Sequence, residues 1–221
     1  MKEVDWSSID PGQNKSKGNG GIQFVKFTSG KIEKLRPFGR AIEFYKIFIE
    51  KGKPSIIVDA QDKDAAAKLL SDKMGKEIKA SYRNSMFVFD RNDGNKVKIL
   101  EAGFQVFEQF ASWSSATKID PGSGQAVDWT ISVTGDGVGG SNPRKYVSTP
   151  LMPVPFTEQE KSVVKGLKDA GKLKLSNYFK EVPLNKVLEV VFGSSGSASS
   201  ESESEGELVG AGATESSDMQ W

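Results

Sequence analysis

Aromatic and basic side chains alternate closely on several predicted strands of this 221-residue chain. The clearest runs are Phe44-Tyr45-Lys46, Tyr82-Arg83, Phe87-Val88-Phe89-Asp90-Arg91 and Arg144-Lys145-Tyr146. A basic side chain neutralises a phosphate, and an exposed aromatic ring stacks on a base of any identity. Because binding a single strand without sequence preference requires both groups in one groove, the pattern predicts a contact surface for single-stranded nucleic acid.

The predicted contact set favours tyrosine over phenylalanine for stacking. The tyrosine hydroxyl group requires water or a polar partner, as at the rim of a groove, whereas phenylalanines on strands are usually core residues. Arginine next to tyrosine is informative, because its guanidinium group both pairs with phosphate and stacks on bases. The full predicted set is Arg36, Arg40, Tyr45, Lys46, Tyr82, Arg83, Phe89, Arg91, Lys98, Trp129, Arg144, Lys145 and Tyr146.

Other phenylalanines are expected to be structural. Those predicted to be buried on strands are Phe24, Phe27, Phe44 and Phe48. A second group lies at helical spacing and is expected to form a core stripe: Phe104, Phe107 and Phe110, with Ala111.

The chain has no cysteine and no histidine, which excludes most catalytic chemistry. Disulfides, zinc sites of the usual kind, Ser-His triads and cysteine nucleophiles are all ruled out. We therefore expect no enzymatic activity, no cofactor and no metal. The enzyme alternative is a carboxylate-and-metal nuclease centred on Asp59, Asp62 and Asp64, but their spacing does not match a calcium loop, and Asp62 can instead cap a helix.

The loop from Gly135 to Gly140 matches the pattern G-x-G-x-x-G. A dinucleotide site of that type needs a helix immediately after the loop, since the helix N-terminus receives the pyrophosphate. Ser141-Asn142-Pro143 and a β-like run follow instead. The loop is therefore interpreted as a hairpin connection, which could still close over a bound strand.

Charge is segregated along the chain, although 30 basic and 29 acidic residues nearly cancel. Residues 194–221 hold six acids and no base, so the remaining body has 30 bases against 23 acids, or about +7. This asymmetry predicts an anionic partner for the body and a tail that competes with that partner. The apolar tip of the tail is expected to anchor a partner protein. The tail residues assigned to partner binding are Glu201, Glu203, Glu205, Glu207, Asp218 and Trp221.

Hydrophobic patterning predicts a mainly β, α+β fold: a small barrel of the OB type with inserted and C-terminal helices. About six short strands and two helices fall between Ile22 and Pro150. The strands include Ala41–Glu50, Ala80–Asp90 and Val127–Thr134, and the helices are Lys63–Met74 and Gly103–Ser114. A later helix is expected to begin with a capping box formed by Thr157 and Glu160. We divide the chain into a flexible arm (1–21), a single-strand-binding core (22–150), a helical extension (151–193) and a disordered acidic tail (194–221). Lacking a membrane-spanning run or a secretory signal, the protein is expected in the cytoplasm.

Several stretches resemble the single-stranded-DNA-binding, helix-destabilising proteins of tailed phages. The resemblance covers roughly residues 22–192, and the order and spacing of many short matches carries it. The matching stretches are Leu35-Arg36-Pro37 to Phe44-Tyr45-Lys46, Val88-Phe89-Asp90-Arg91 with Gly94, Lys96 and Lys98-Ile99-Leu100-Glu101, then Phe107, Phe110 and Trp113 before Asp120-Pro121-Gly122, and finally Asp128-Trp129, Val133-Thr134-Gly135, Lys145-Tyr146-Val147 and Thr157-Glu158.

The resemblance implies an OB-fold core that coats single-stranded DNA during phage replication, recombination and repair in the host cytoplasm. It also implies that the acidic tail contacts replication proteins such as the polymerase and the helicase/primase. Some members of the family carry a Cys-rich zinc segment, and the corresponding stretch here, from Ile56 to the helix after Ala60, has neither Cys nor His. Two interpretations of the N-terminal arm, with Lys2, Lys15 and Lys17, stay open: it mediates self-association along DNA, or it is a solvated terminus, which is the commoner case for such arms. The alternative is an interaction module of the replication machinery that does not itself bind DNA.

Overall fold

A computed structural model of the protein describes residues 21–50, 55–135 and 143–193. Within these ranges the strands are β1 (Gln23–Phe24), β2 (Ile32–Ile47), β3 (Ile56–Val58), β4 (Ala80–Asp90), β5 (Lys96–Ala102), β6 (Val127–Thr134) and β7 (Lys145–Pro153). The helices are α1 (Lys63–Met74), α2 (Phe104–Thr117), α3 (Glu158–Asp169) and α4 (Val187–Phe192). Short 3₁₀ turns occupy Arg91–Asp93, Leu175–Asn177 and Leu184–Lys186.

The described strands form one seven-stranded sheet in the order β1-β5-β4-β2-β6-β7, with β3 paired to β2. The mixed α and β character predicted from the sequence is confirmed. The sheet is not closed into a barrel, however, because its pairings among the described residues end at β1 and at β7. One edge strand, β1, pairs in parallel with β5, and the other, β7, pairs with β6, so that no described strand joins the two edges.

Strand β2 is long and bent, and it organises the sheet. It pairs with β4 over most of its length, with β6 through its first residues and with β3 through its last. The register with β4 shifts between Phe38 and Ile42, where Gly39 has a φ of +72°. Gly122 lies directly against this bend, since a Cβ atom placed there would stand 1.9 Å from the Gly39 carbonyl oxygen. The sequence pattern had placed a strand only from Ala41 onward, and so missed the first half of β2.

The two faces of β4 are buried in different cores. Its side chains alternate, so that Val88 joins one cluster while Phe87 and Phe89 join another. The first cluster is closed by α2, through Val106 and Phe110. Segment 156–179 covers the second cluster with four buried side chains: Phe156, Val164, Leu175 and Phe179. A third cluster packs α1 and α4 against β3 and the end of β2.

The ends of α1 and α3 follow the local signals, whereas α2 runs to Thr117, three residues beyond its predicted end at Ser114. Helix α1 has the predicted bounds, and Gly75 ends it with a left-handed φ of +66°. Thr157 and Glu160 form the predicted capping box of α3. The predicted side-chain cap from Asp62 is wrong, because Asp62 has helical backbone angles and its side chain makes no capping hydrogen bond with any described group. An N-cap side chain usually requires an extended backbone to reach back to the helix.

The predicted core stripe of α2 is also partly wrong. Val106 and Phe110 are buried and Phe107 is half-buried, but Phe104 is 59% exposed and Ala111 is exposed. The buried positions 106 and 110, with the partly buried Trp113, recur at intervals of four and three residues. Phe104 therefore lies outside the buried stripe. In the described ranges, no helix is long and apolar enough to cross a membrane.

Candidate nucleic-acid interface

The ring of Phe48 lies beside two basic side chains just beyond the end of β2. The guanidinium carbon of Arg83 is 5.0 Å from the ring centroid, and the Lys46 ammonium is 5.5 Å from it. Phe48 is 48% exposed, and Arg83 makes no ion pair with any described residue. Lys46 is already neutralised, because its Nζ atom donates to both carboxylate oxygens of Glu101 at 2.8 and 2.9 Å. The arrangement offers an accessible aromatic surface with an adjacent positive charge that has no acidic partner in the described ranges.

Two tyrosines pair across β2 and β4 beside this cluster. Tyr45 lies opposite Tyr82, with ring centroids 5.6 Å apart in an edge-on arrangement. The Lys63 ammonium lies 4.5 Å from the centroid of Tyr45. The Tyr82 hydroxyl donates to Glu43 at 2.6 Å, and this hydrogen bond raises the pKa of Tyr82 above its ordinary value. Both rings are half-buried, so they can present an edge to a ligand at the surface.

We call Tyr45, Lys46, Phe48, Tyr82 and Arg83 the β2–β4 cluster. A second predicted group begins β7: Arg144 and Lys145 are exposed, and Tyr146 is half-buried with its ring edge-on to Phe27 at 5.5 Å. Lys145 pairs with the end of β6, which itself runs beside the start of β2. The two groups therefore flank opposite ends of β2. Arg40 is exposed between them, at the bend of the strand.

Three predicted contact residues lie in the interior, and the prediction is corrected for them. Phe89 and Trp129 are core residues. Phe89 packs on Phe38 and Phe156, whereas Trp129 is held by aromatic neighbours under α2. Arg36 is fully buried, and its guanidinium group donates to the carbonyl oxygens of Gly124 and Ala126. Burial lowers the pKa of Arg36. Because its partners are the carbonyl oxygens of the loop before β6, Arg36 supports that loop and does not face an external phosphate.

Two further predicted cations are occupied by internal ion pairs. Arg91 donates to both carboxylate oxygens of Asp128, at 3.0 and 3.1 Å, and also to Glu160. Lys98 contacts Asp90 at 2.7 Å and Asp93 at 2.8 Å. Hydrogen bonds from Lys96 and Lys98 lower the pKa of the Asp93 carboxyl to about 2. These cations join parts of the fold, so they add little charge to an external surface.

Sequence reasoning missed Phe48, which is the most exposed member of the β2–β4 cluster. It was predicted to be buried because it falls on a predicted strand, where phenylalanines are usually core residues. Its position in the sequence is a signal that could have identified it. Phe48 is the last residue in the alternating series Ile42, Phe44, Lys46, Phe48, and it lies just beyond the end of β2. A side chain at a strand end has fewer neighbours to bury it than one at the centre.

Several of the predicted residues lie outside the described ranges. These include the acidic tail with Glu201, Glu203, Glu205, Glu207, Asp218 and Trp221, the N-terminal arm, and loop residues 136–142. In the part of the chain that the structure describes, no three acidic side chains converge on a metal-sized site. No protein-family model matches the sequence, and a comparison with curated proteins gives no match.

Proposed function

We propose that this protein binds single-stranded DNA without sequence preference, with the β2–β4 cluster as part of its binding surface. The observation that carries the proposal is the half-exposed ring of Phe48 with Arg83 beside it. A base can stack on such a ring while the neighbouring arginine pairs with the phosphate of the same nucleotide. The coated strand would be exposed in phage replication, recombination and repair, as the resemblance to the tailed-phage proteins implies.

The topology supports an OB-like core for this activity. Apart from the short β3, which with α1 lies between β2 and β4, five strands come in the order β2, β4, β5, β6 and β7, and α2 lies between β5 and β6. OB folds bind oligonucleotides across the face of their second and third strands, between the loop after the first strand and the loop before the fifth. Here the first of those loops begins at Phe48, and the second ends at Arg144 and Lys145. This correspondence supports the proposal that the two basic groups flank an OB-like binding face.

Segment 156–179 packs over the central part of that face. Phe44, Phe87 and Phe89 lie under segment 156–179 and are buried. A bound strand would therefore contact the exposed ends of the surface rather than these phenylalanines. Four predicted cations remain for phosphates once the buried and paired ones are removed: Arg40, Arg83, Arg144 and Lys145. Four neutralised phosphates correspond to a slope of about −2.8 in log affinity against log salt concentration.

Fluorescence anisotropy with a labelled oligo-dT across a salt series tests the proposal. Replacing Phe48 by Ala should weaken binding about 5- to 140-fold, the value of one stacked base at ~1–3 kcal/mol. Replacing Arg83 by Ala should also reduce the magnitude of the salt slope by about 0.7. The matched controls are Leu69→Ala, an exposed apolar residue on α1, and Lys172→Ala, an exposed base after α3. Both should leave the affinity and the slope unchanged.

Duplex DNA provides the contradicting outcome. Single-strand binding requires access to base faces, which are stacked on each other in a duplex, so unlabelled duplex should compete poorly. If duplex competes as well as the single strand, or if Phe48→Ala binds as tightly as the wild type, stacking on this cluster is refuted.

We propose that the acidic tail regulates this binding and recruits phage replication proteins, such as polymerase and helicase/primase. Its glutamates, Glu201, Glu203, Glu205 and Glu207, would compete with DNA for the basic surface, while Trp221 would anchor a partner. Removal of residues 194–221 should therefore raise DNA affinity most strongly at low salt, where charge competition is least screened.

A second candidate function is an interaction module that does not bind DNA. It is favoured by β7, an edge strand in the described sheet that exposes the apolar side chains of Val147 and Met152, with Val154 exposed just beyond it. Exposed apolar strand edges commonly receive partner proteins. The anisotropy titration separates the two functions, since the interaction module predicts no salt-dependent binding of the oligonucleotide.

A further inference from the structure

An apolar cavity of about 650 Å³ lies beside α3, in a part of the surface that the proposed DNA contacts do not use. Its apolar walls include Phe156, Val164 and Pro155, with Gly124 at one side. The volume falls in the range of about 300–1,000 Å³ that is usual for small-ligand pockets. The cavity can therefore accept one large apolar side chain.

The rim of the cavity is basic. Lys161, Lys165 and Lys168 line it, and Asp169 is the one acid among its described lining residues. The three lysines stand four and three positions apart, so they follow one face of α3 over about 10 Å. Lys161 has an exposed ion pair with Glu158 at 2.7 Å, and Lys165 makes no ion pair in the described ranges. An apolar pocket with a row of lysines selects a ligand that joins a bulky apolar group to a carboxylate.

We propose that the pocket is the docking site of this chain's own segment 215–221, with the indole of Trp221 in the cavity. This segment supplies Glu215 and Asp218 before Trp221 and contains no base. Three residues of extended chain span about 10 Å, so Asp218 can pair with a lysine of the row while Trp221 contacts Phe156 and Val164. The pairing of acids with lysines and of indole with the apolar walls makes this segment complementary to the site.

The length of chain after the last described residue allows the contact. Twenty-eight residues follow Gly193, up to and including Trp221, and they can span at most about 100 Å. A folded body of this size has a radius of gyration of only about 15 Å. Every point on its surface is therefore within reach of the segment, and the complementary site is selected by chemistry rather than by distance.

Fluorine NMR of the full chain, labelled with 5-fluorotryptophan, tests the proposal. The resonance of Trp221 is assigned by its loss in Trp221→Phe, and its reference position is that of a synthetic peptide of residues 210–221. In the wild type, the Trp221 resonance should be shifted and broadened relative to the peptide. In Lys165→Glu with Lys168→Glu, it should return to the peptide position. The buried Trp129 provides an internal check that each variant is folded.

The matched control is Lys73→Glu with Lys79→Glu, which makes the same change in charge at exposed positions outside the cavity. This control, and Arg83→Ala in the β2–β4 cluster, should leave the Trp221 resonance at its wild-type position. The proposal is overturned if wild-type Trp221 already coincides with the free peptide, or if the control moves it as far as the pocket variant. A shift that disappears on dilution would assign the occupant to a second copy of the chain and overturn the intrachain contact. Because no DNA is present, the outcome does not depend on the proposed function.

Discussion

Replacing Arg91 with Met should cost this protein a large part of its stability, because Arg91 joins the sheet to α3 through two buried carboxylates. The side chains of Arg91, Asp128 and Glu160 are 15%, 7% and 4% exposed. Hydrogen bonds to both acids raise the pKa of Arg91 despite its burial. Removing one member of a buried ion pair leaves an uncompensated charge, at a cost of about 3–5 kcal/mol. Here two carboxylates lose their shared partner at once.

Urea unfolding followed by circular dichroism measures this cost. With a urea m value of about 2 kcal/mol/M, the loss corresponds to a fall of about 1.5–2.5 M in the unfolding midpoint. The control is Lys68→Met, which breaks the exposed pair between Lys68 and Asp72, whose side chains are 75% and 65% exposed. An exposed pair of this i,i+4 type contributes little to stability, because solvent screens the attraction between its charges. If Arg91→Met loses no more free energy of unfolding than Lys68→Met, the network does not hold α3 to the sheet.

Three further results should follow from the same geometry. Hydrogen bonds from Thr157 and Arg91 lower the pKa of Glu160, although burial opposes this, so the stability that Glu160 contributes is present above about pH 4.5 and is lost as the pH falls through its folded pKa. Glu160→Gln should therefore be less stable than the wild type at neutral pH, and the difference in thermal unfolding should shrink as the pH is lowered. Gly122→Ala should lower the free energy of unfolding, measured in urea, by about 1–3 kcal/mol, because its Cβ would overlap the Gly39 carbonyl. In the control Gly124→Ala, the new Cβ meets only an ordinary contact at 3.6 Å, so the free energy of unfolding should change by less than about 0.5 kcal/mol, and equal losses in the two variants would refute the close approach. Thr157→Ala should cost about 0.5–2 kcal/mol because it removes the cap of α3, and an unchanged melting temperature would show that the capping box contributes nothing.

Local signals predicted the regular elements well. The bounds of α1, β4 and β6 agree with the sequence pattern. Their signals are an Ala- and Leu-rich run for α1, the turn at Asp93-Gly94 after β4, and the alternation of apolar and polar residues in β6, and each of these depends only on residues close in the sequence. The first half of β2 was missed, since it contains Pro37 and Gly39, which usually interrupt a strand. Here those residues lie at the bend, where long-range contacts with Gly122 decide the backbone path.

The candidate site was less predictable, because residue type does not reveal which charges are already paired. Arg83 and Arg91 look alike in the sequence, each beside an aromatic strand. Arg91 meets Asp128 and Glu160, which are 37 and 69 positions away, whereas Arg83 meets none of the described acids. Phe48 and Phe44 differ in the same way: Phe179, far along the chain, covers Phe44, while Phe48 remains exposed. Only the tertiary fold separates these pairs.

The cover that segment 156–179 places over the sheet also has a consequence for synthesis of the protein. All strands up to Pro153 are synthesised before segment 156–179, whose side chains bury Phe38, Phe87 and Phe89. Helix α4, which completes the third cluster, is synthesised later still. Roughly 40 residues separate the end of β7 from Val191, which takes about 2–8 s at translation rates of about 5–20 residues per second. For that interval the nascent sheet presents a row of uncovered phenylalanines, and its final packing must wait for the last helix. Rare codons between residues 154 and 191 would lengthen the exposure, making yield of soluble protein sensitive to the speed of translation through this segment.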